Sequence, residues 1–207
     1  MKKFICLVMI GIMTCSLCAC SSSKEEANAI VKPLPAPTET SDGIFWVSPD
    51  MSTFKEDAGS YSIDCNLYSE QYYDAVEFSK LKAGDIVKVN NEDIVVSTIE
   101  TNAFGLTIIN GGIEEGGAEF MALESGGVLQ YSGFDGYPTY DDLGVKSFKI
   151  SSNVVINDST DFESDTPVSV NIEDFASFAD SHELNRLNTS IRTENNEIVE
   201  INVRFIP

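Results

Sequence analysis

The stretch YSIDCNLY, Tyr61–Tyr68, alternates apolar and polar residues without a break. Tyr61, Ile63, Cys65 and Leu67 fall on one side, and Ser62, Asp64 and Asn66 on the other. A period of two marks a strand with one buried face, because a helix repeats every 3.6 residues and would scatter the same set. Further short apolar runs follow: IVKV, DIVVSTIE, FGLTII, AEFMAL, GVLQY, KSFKI, NVVI, PVSV, TSIRT and EIVEINVRFI. They recur at the spacing of about 8–12 residues typical of all-β chains, separated by Gly, Asn and Asp. Asn90-Asn91 and Asn195-Asn196 each stand between two such runs. Asn tolerates the positive φ that a two-residue hairpin turn requires, so both pairs predict hairpins. The fold class is mostly β, a small antiparallel barrel or sandwich.

One segment departs from this rule. Asn171 is placed to cap IEDFASFADSHELNR, with Glu173 and Asp174 in the first turn, where they complement the helix dipole. Ile172, Phe175, Ala176, Ala179 and His182 share a face, which predicts one amphipathic helix near the C-terminus. SEQYYDAVEFSKLK reads as a short helical turn followed by a strand.

The first residues are of another kind. Lys2 and Lys3 precede an apolar stretch, Phe4–Leu17, that is short for a membrane span. Leu17-Cys18-Ala19-Cys20 closes it and resembles the lipobox of bacterial lipoproteins, in which a Leu lies three residues before the modified cysteine and a small residue directly before it. The resemblance implies a signal peptide over 1–19, a lipidated Cys20, and anchorage to the extracytoplasmic face of the cell membrane. Residues 20–43, rich in Ser and Pro, then read as a flexible tether, and 44–207 as a single β-rich globular domain. GDIVKVN…IVVSTIE and the closing EIVEINVRFIP also resemble parts of uncharacterised small lipoproteins of Gram-positive gut bacteria.

Charge narrows the partners. The chain carries a formal charge of −20, and loss of Lys2 and Lys3 with the signal makes it −22. Such a surface repels phosphate backbones and anionic headgroups, which argues against nucleic acid as a partner. After Cys20 the one remaining cysteine is Cys65, so no intramolecular disulfide can form in the mature chain. With 43% apolar residues and twelve Phe, stability has to come from an ordinary core.

Several motifs bear on chemistry. His182 is the one histidine, and G-x-S-x-G is absent, so histidine zinc sites and a nucleophile elbow are excluded. Ser52-Thr53-Phe54-Lys55 and Ser151-Ser152-Asn153 match the loose S-x-x-K and S-x-N patterns of penicillin-recognising serine enzymes, but Lys82-Ala83-Gly84 falls between them instead of after them. The glycine-rich Ile109–Gly117 lacks the lysine and following helix of a phosphate cradle. Asp161, Glu163 and Asp165 form a weak calcium candidate that fails the EF-hand pattern, and a solvated acidic loop is the favoured reading.

The loop Tyr131–Asp142 is the strongest binding candidate. Phe134, Asp135, Tyr137, Tyr140 and Asp141 crowd a Gly/Pro-rich connection. Aromatic faces edged by carboxylates suit sugars, cationic peptides or amines, while the same residues can also fold back onto a core. No motif implies a cofactor. The sequence favours a non-catalytic, lipid-anchored module that binds carbohydrate, peptide or an envelope protein. The alternatives are a carboxylate-based hydrolase of envelope carbohydrate or peptide, and a structural or adhesive component of a surface assembly. A pocket holding two facing acids would distinguish the hydrolase.

Overall fold

The computed structural model describes residues 28–123, 126–133, 136–164 and 166–206. Cys20, Phe134, Asp135 and Asp165 lie outside the described residues. In chain order the elements are β1 (Ile30–Val31), β2 (Gly43–Asp57), β3 (Ser60–Glu70), β4 (Tyr72–Asp74), α1 (Ala75–Phe78), β5 (Ile86–Val89), β6 (Glu92–Val95) and β7 (Ile99–Thr101). They continue as β8 (Thr107–Ile109), β9 (Ala118–Ala122), β10 (Val128–Tyr131), β11 (Tyr140–Ser159), β12 (Val168–Ser169), α2 (Phe175–His182), β13 (Thr189–Glu194) and β14 (Glu197–Arg204).

Five strands make a hydrogen-bonded circuit. β2 pairs antiparallel with β3 on one side and β13 on the other, and β13 pairs with β14. β14 runs parallel to the second half of β11, whose first half pairs antiparallel with β3 and returns the circuit to its start. Counted along the chain, these strands lie in the order 1-2-3-5-4, with the third and fifth parallel and α2 between the third and fourth. That is the strand order of an OB-type Greek-key barrel.

β2 and β11 serve two layers because each bends where its register slips, between Asp50 and Lys55 and between Ile150 and Val155. Strands that turn a corner through a bulge carry one layer into the next. Barrel and sandwich are therefore both apt descriptions of these strands. The serine motifs of the sequence occupy these two bends. Asp50 Oδ1 accepts from Ser52 N–H and Oγ, and Thr53 Oγ1 donates to the Asp50 carbonyl while accepting from Asp64 N–H. Those hydroxyls are spent on Asp50 and on the Asp64 N–H at the bulge. KSFKI and NVVI, expected as separate strands, are two halves of β11.

The alternation at 61–68 plays out as read: Ile63, Cys65 and Leu67 point inward and join Phe148, Ile150 and Ile201 in a core that Phe175 of α2 covers. A 3₁₀ turn, Ile172–Asp174, precedes α2, so the helix is shorter than its sequence implied. The Asn171 side chain makes no capping bond.

Residues 71–139 form an insert between the second and third circuit strands. Its sheet runs β4-β10-β9-β8-β7, and the β5–β6 hairpin stands beside it. Tyr73, Phe78, Val87, Ile109 and Phe120 make a second core, sharing no residue with the first. The region 44–207 is thus built on two cores. Over 71–78 the strand comes before the helical turn, the reverse of the expected order, because Asp74 Oδ1 accepts from Val76 and Glu77 N–H and starts α1 there. The turns at Asn90-Asn91 and Asn195-Asn196 both have φ of 51° and 64°, as hairpins of this length demand.

The insert also takes in chain from before the circuit. β1 pairs parallel with β5, and Val31 is 3% exposed inside the second core. Asp85 Oδ1 accepts from Ala29 N–H, Ile86 N–H donates to the Ala29 carbonyl, and Leu34 N–H donates to the Tyr72 carbonyl. Residues 29–34 therefore belong to the fold and not to a free tether. Without β1, β5 would present an open edge and the apolar wall beneath it would be uncovered.

Candidate ligand cleft

The insert leaves and rejoins the circuit at paired residues, Glu70 opposite Tyr140, and Gln71 N–H donates to the Thr139 carbonyl at 2.9 Å. Around this junction the strand ends carry three large rings. Trp46 and Tyr68 each lie edge-on to Tyr140, with centroids 6.3 Å and 6.4 Å away. Trp46 and Tyr68 are cross-strand partners, so β-sheet register alone brings them together.

Two arginines lie over these rings. Arg186, in the loop after α2, holds its guanidinium carbon 5.3 Å from the Tyr68 centroid and 6.0 Å from that of Tyr140. Arg204, the last residue of β14, sits 4.1 Å over Trp46, and its Nε donates to the Leu187 carbonyl. Both residues are exposed. Among the described residues no carboxylate pairs with either, whereas the third arginine, Arg192, is held by Glu194 and Glu200.

Next to this cluster the surface is hollowed twice. One cleft of about 380 Å³ is lined by Glu70, Gln130, Tyr137, Pro138, Arg204 and Phe205 among others. A second, of about 350 Å³, is lined by Asn90, Tyr131, Tyr137, Thr139, Tyr140 and Arg186 among others. Tyr137 and Pro138 belong to both, and each cleft holds one of the two arginines. The loop that supplies Tyr137 is fixed by Gly133 N–H to the Tyr137 carbonyl, by Gly136 N–H to the Gly133 carbonyl, and by a bridge between Ser132 and Pro138. Gly136 sits at φ 78°, a value that would strain a side chain.

The junction has unspent polar capacity. Among the described residues, the Tyr140 hydroxyl and Gln71 Oε1 are both buried without a hydrogen-bond partner. Burial, then the charge of Glu70, push the Tyr140 pKa up to about 12 against the opposing pull of Arg204 and Arg186, so the hydroxyl stays protonated at neutral pH. Arg204 is near enough to the hydroxyl to oppose that rise. Glu70 Oε2 accepts from Tyr72 Oη and Gln130 Nε2, each at 2.6 Å. Among the described residues it is the one carboxylate lining the two clefts.

Of the residues singled out from sequence, Tyr137 and Tyr140 meet at this site. Asp141 accepts from Gln71 Nε2 at 2.7 Å and braces the junction. Phe134 and Asp135 are outside the described residues. Of the rings expected to attract a cationic ligand, Tyr140 already carries a cation supplied by the chain itself, Arg186. Trp46, Tyr68, Arg186 and Arg204 were not signalled as a site by the sequence. Arg186 and Arg204 are isolated in the chain, and Trp46 and Tyr68 lie within strand-like runs.

The other candidates lie elsewhere. Asp161 and Glu163 are exposed, and Asp161 Oδ1 turns back to accept from Glu163 N–H. Among the described residues no three His, Cys, Asp or Glu are grouped to hold a metal. His182 stacks on Phe178 at 4.2 Å, with Nδ1 2.8 Å from the Phe178 carbonyl. Cys65 faces the first core, and burial, then the charge of Asp64, push its thiol up to about 12. No helix among the described residues is long and apolar enough to cross a membrane. The chain matches no protein-family model, no curated protein and no solved structure.

Proposed function

We propose that this chain is a lipid-anchored, extracytoplasmic binding module whose ligand, a carbohydrate or a peptide, is seated where the insert meets the five-strand circuit. The observation that carries this reading is the pair of clefts sharing Tyr137 and Pro138, walled by residues from both halves of the fold. Concave sites at the seam of two structural units, with a few convergent polar groups among aromatic ones, are where small ligands usually bind. The OB-type strand order is compatible with sugar binding but does not establish it, since one fold hosts many functions.

Binding is favoured over hydrolysis for chemical reasons. Hydrolysis by paired acids needs two carboxylates facing one another across the substrate. Among the described residues these clefts offer Glu70 alone, already engaged by two donors. The thiol of Cys65 is buried in the core and protonated, and His182 is committed to the surface of α2. The anchorage rests on the lipobox-like Leu17-Cys18-Ala19-Cys20.

The test is a glycan and peptide array probed with the full chain and with Tyr137→Ala. Tyr137 contributes to both clefts, so removing its ring is expected to abolish the signal. Binding that survives Tyr137→Ala unchanged would place the ligand elsewhere and end this reading.

A further inference from the structure

Resting on that reading, the geometry points to the kind of ligand: a saccharide carrying an isolated negative group, a carboxylate or a phosphate ester, read by Arg186 and Arg204. Three observations converge on it. First, the chain has 33 acidic and 13 basic residues, yet Arg186 and Arg204 stand together with no carboxylate partner among the described residues. Both guanidiniums are exposed, so their charge is open to an anionic group on a ligand.

Second, the two guanidiniums are held in place. Each lies on an aromatic plate, and Arg204 is further fixed by the Leu187 carbonyl. Stacking orients the planar fork and reduces the entropy lost when it grips a carboxylate or phosphate. A cationic ligand would have to displace these groups from the same rings. Third, among the described residues the remaining polar wall is uncharged apart from Glu70: Asn90, Gln130, Thr139 and the tyrosines offer hydroxyl and amide contacts of the kind a sugar ring uses.

The surrounding acidity sets the second half of the specificity. At physiological salt the screening length is about 8 Å, so the two guanidiniums dominate at contact while the wider surface still repels a long polyanion. A single acidic group on an otherwise neutral glycan satisfies both conditions. A polyuronate does not.

Calorimetric titration of the full chain tests this with four matched probes: a neutral oligosaccharide, the same oligosaccharide ending in one uronate, the same ending in one phosphate ester, and a polyuronate. The expected order places one or both singly charged probes roughly tenfold or more above the neutral one, as charge-assisted hydrogen bonds require. The relative affinity of the uronate and phosphate arms identifies the source of the charge. The double substitution Arg186→Gln, Arg204→Gln is expected to bring the singly charged probe down to the neutral affinity. Arg186→Lys, Arg204→Lys keeps the charge and retains part of the preference, which guards against reading a folding defect as lost recognition. Arg192→Gln, at an ion pair outside both clefts, leaves binding unchanged.

Equal affinity for neutral and charged probes, tightest binding to the polyuronate, or a preference indifferent to both arginine pairs overturns the inference while leaving a carbohydrate module standing. A peptide as the one array ligand overturns the saccharide claim as well. Absence of any array ligand removes the underlying reading and this one with it.

Discussion

Phe120→Ala is expected to unfold the insert and leave the circuit intact. Phe120 is fully buried, and its ring meets Phe78 at 4.4 Å, Tyr73 at 5.0 Å and Tyr131 at 5.7 Å. Truncating a core Phe to Ala costs about 3–5 kcal/mol, and ring pairs add ~0.5–1.5 kcal/mol each beyond burial, so the upper end of that range applies here. At ~0.05–0.15 kcal/mol per residue, a unit the size of 71–139 with β1 holds roughly 4–10 kcal/mol. The substitution removes most of that. The circuit shares no core residue with the insert, and the Glu70–Tyr140 pair keeps the ends of the insert together. An unfolded insert is then a long loop, and doubling a loop adds only about 0.6 kcal/mol. Native-state hydrogen exchange reads both units in one sample. Amides of β5, β8 and β9 should lose about 3–5 kcal/mol of opening free energy, while those of β3, β13 and β14 stay within about 0.5 kcal/mol. Equal loss across both units would refute the two-core reasoning and make the chain one cooperative block.

Three further outcomes follow from named groups. Asp85 accepts from Ala29 and Lys82 N–H, and the Lys82 and then the Ala29 bond lower its pKa. Its contribution is therefore present above the ordinary carboxylate range and is lost as pH falls through the depressed folded value. Asp85→Asn should be less stable than the parent at pH 7, with the gap narrowing below about pH 4, as chemical denaturation at pH 7 and pH 3 would show. Cys65 should resist a thiol reagent at pH 8 in the folded chain and react once denatured, and rapid labelling of the native protein would contradict its burial. Asn91→Val and Asn196→Val place a β-branched residue at φ 64°, and each should cost about 1–2 kcal/mol in equilibrium unfolding.

What the sequence disclosed follows the range of the interactions. The Asn-Asn hairpins and the Ile63–Leu67 alternation were legible because turn chemistry and side-chain period are local. The parallel pairing of Ile30–Val31 with β5 was not, since two apolar residues in a Pro-rich stretch have no periodicity and their partner is far along the chain. Ser151-Ser152-Asn153 looked like a break between strands because small polar residues mark turns and bulges alike. At the cleft, Tyr137 and Tyr140 stood out by composition beside Gly and Pro. Arg186 and Arg204 gain meaning only when β14 and the loop after α2 bring them over Trp46, Tyr68 and Tyr140, a juxtaposition set by the circuit's closure.

The docking of β1 against β5 bears on reach. If Cys20 is acylated, only eight residues, Ser21 to Asn28, stand between it and Ala29, which Asp85 grips. Fully drawn out at ~3.3–3.6 Å per residue, that stretch reaches roughly 30 Å, well under half the span of a loose strand running to Gly43. The insert would then stay within that reach of the bilayer, where the seam samples whatever lies near the outer leaflet and little beyond.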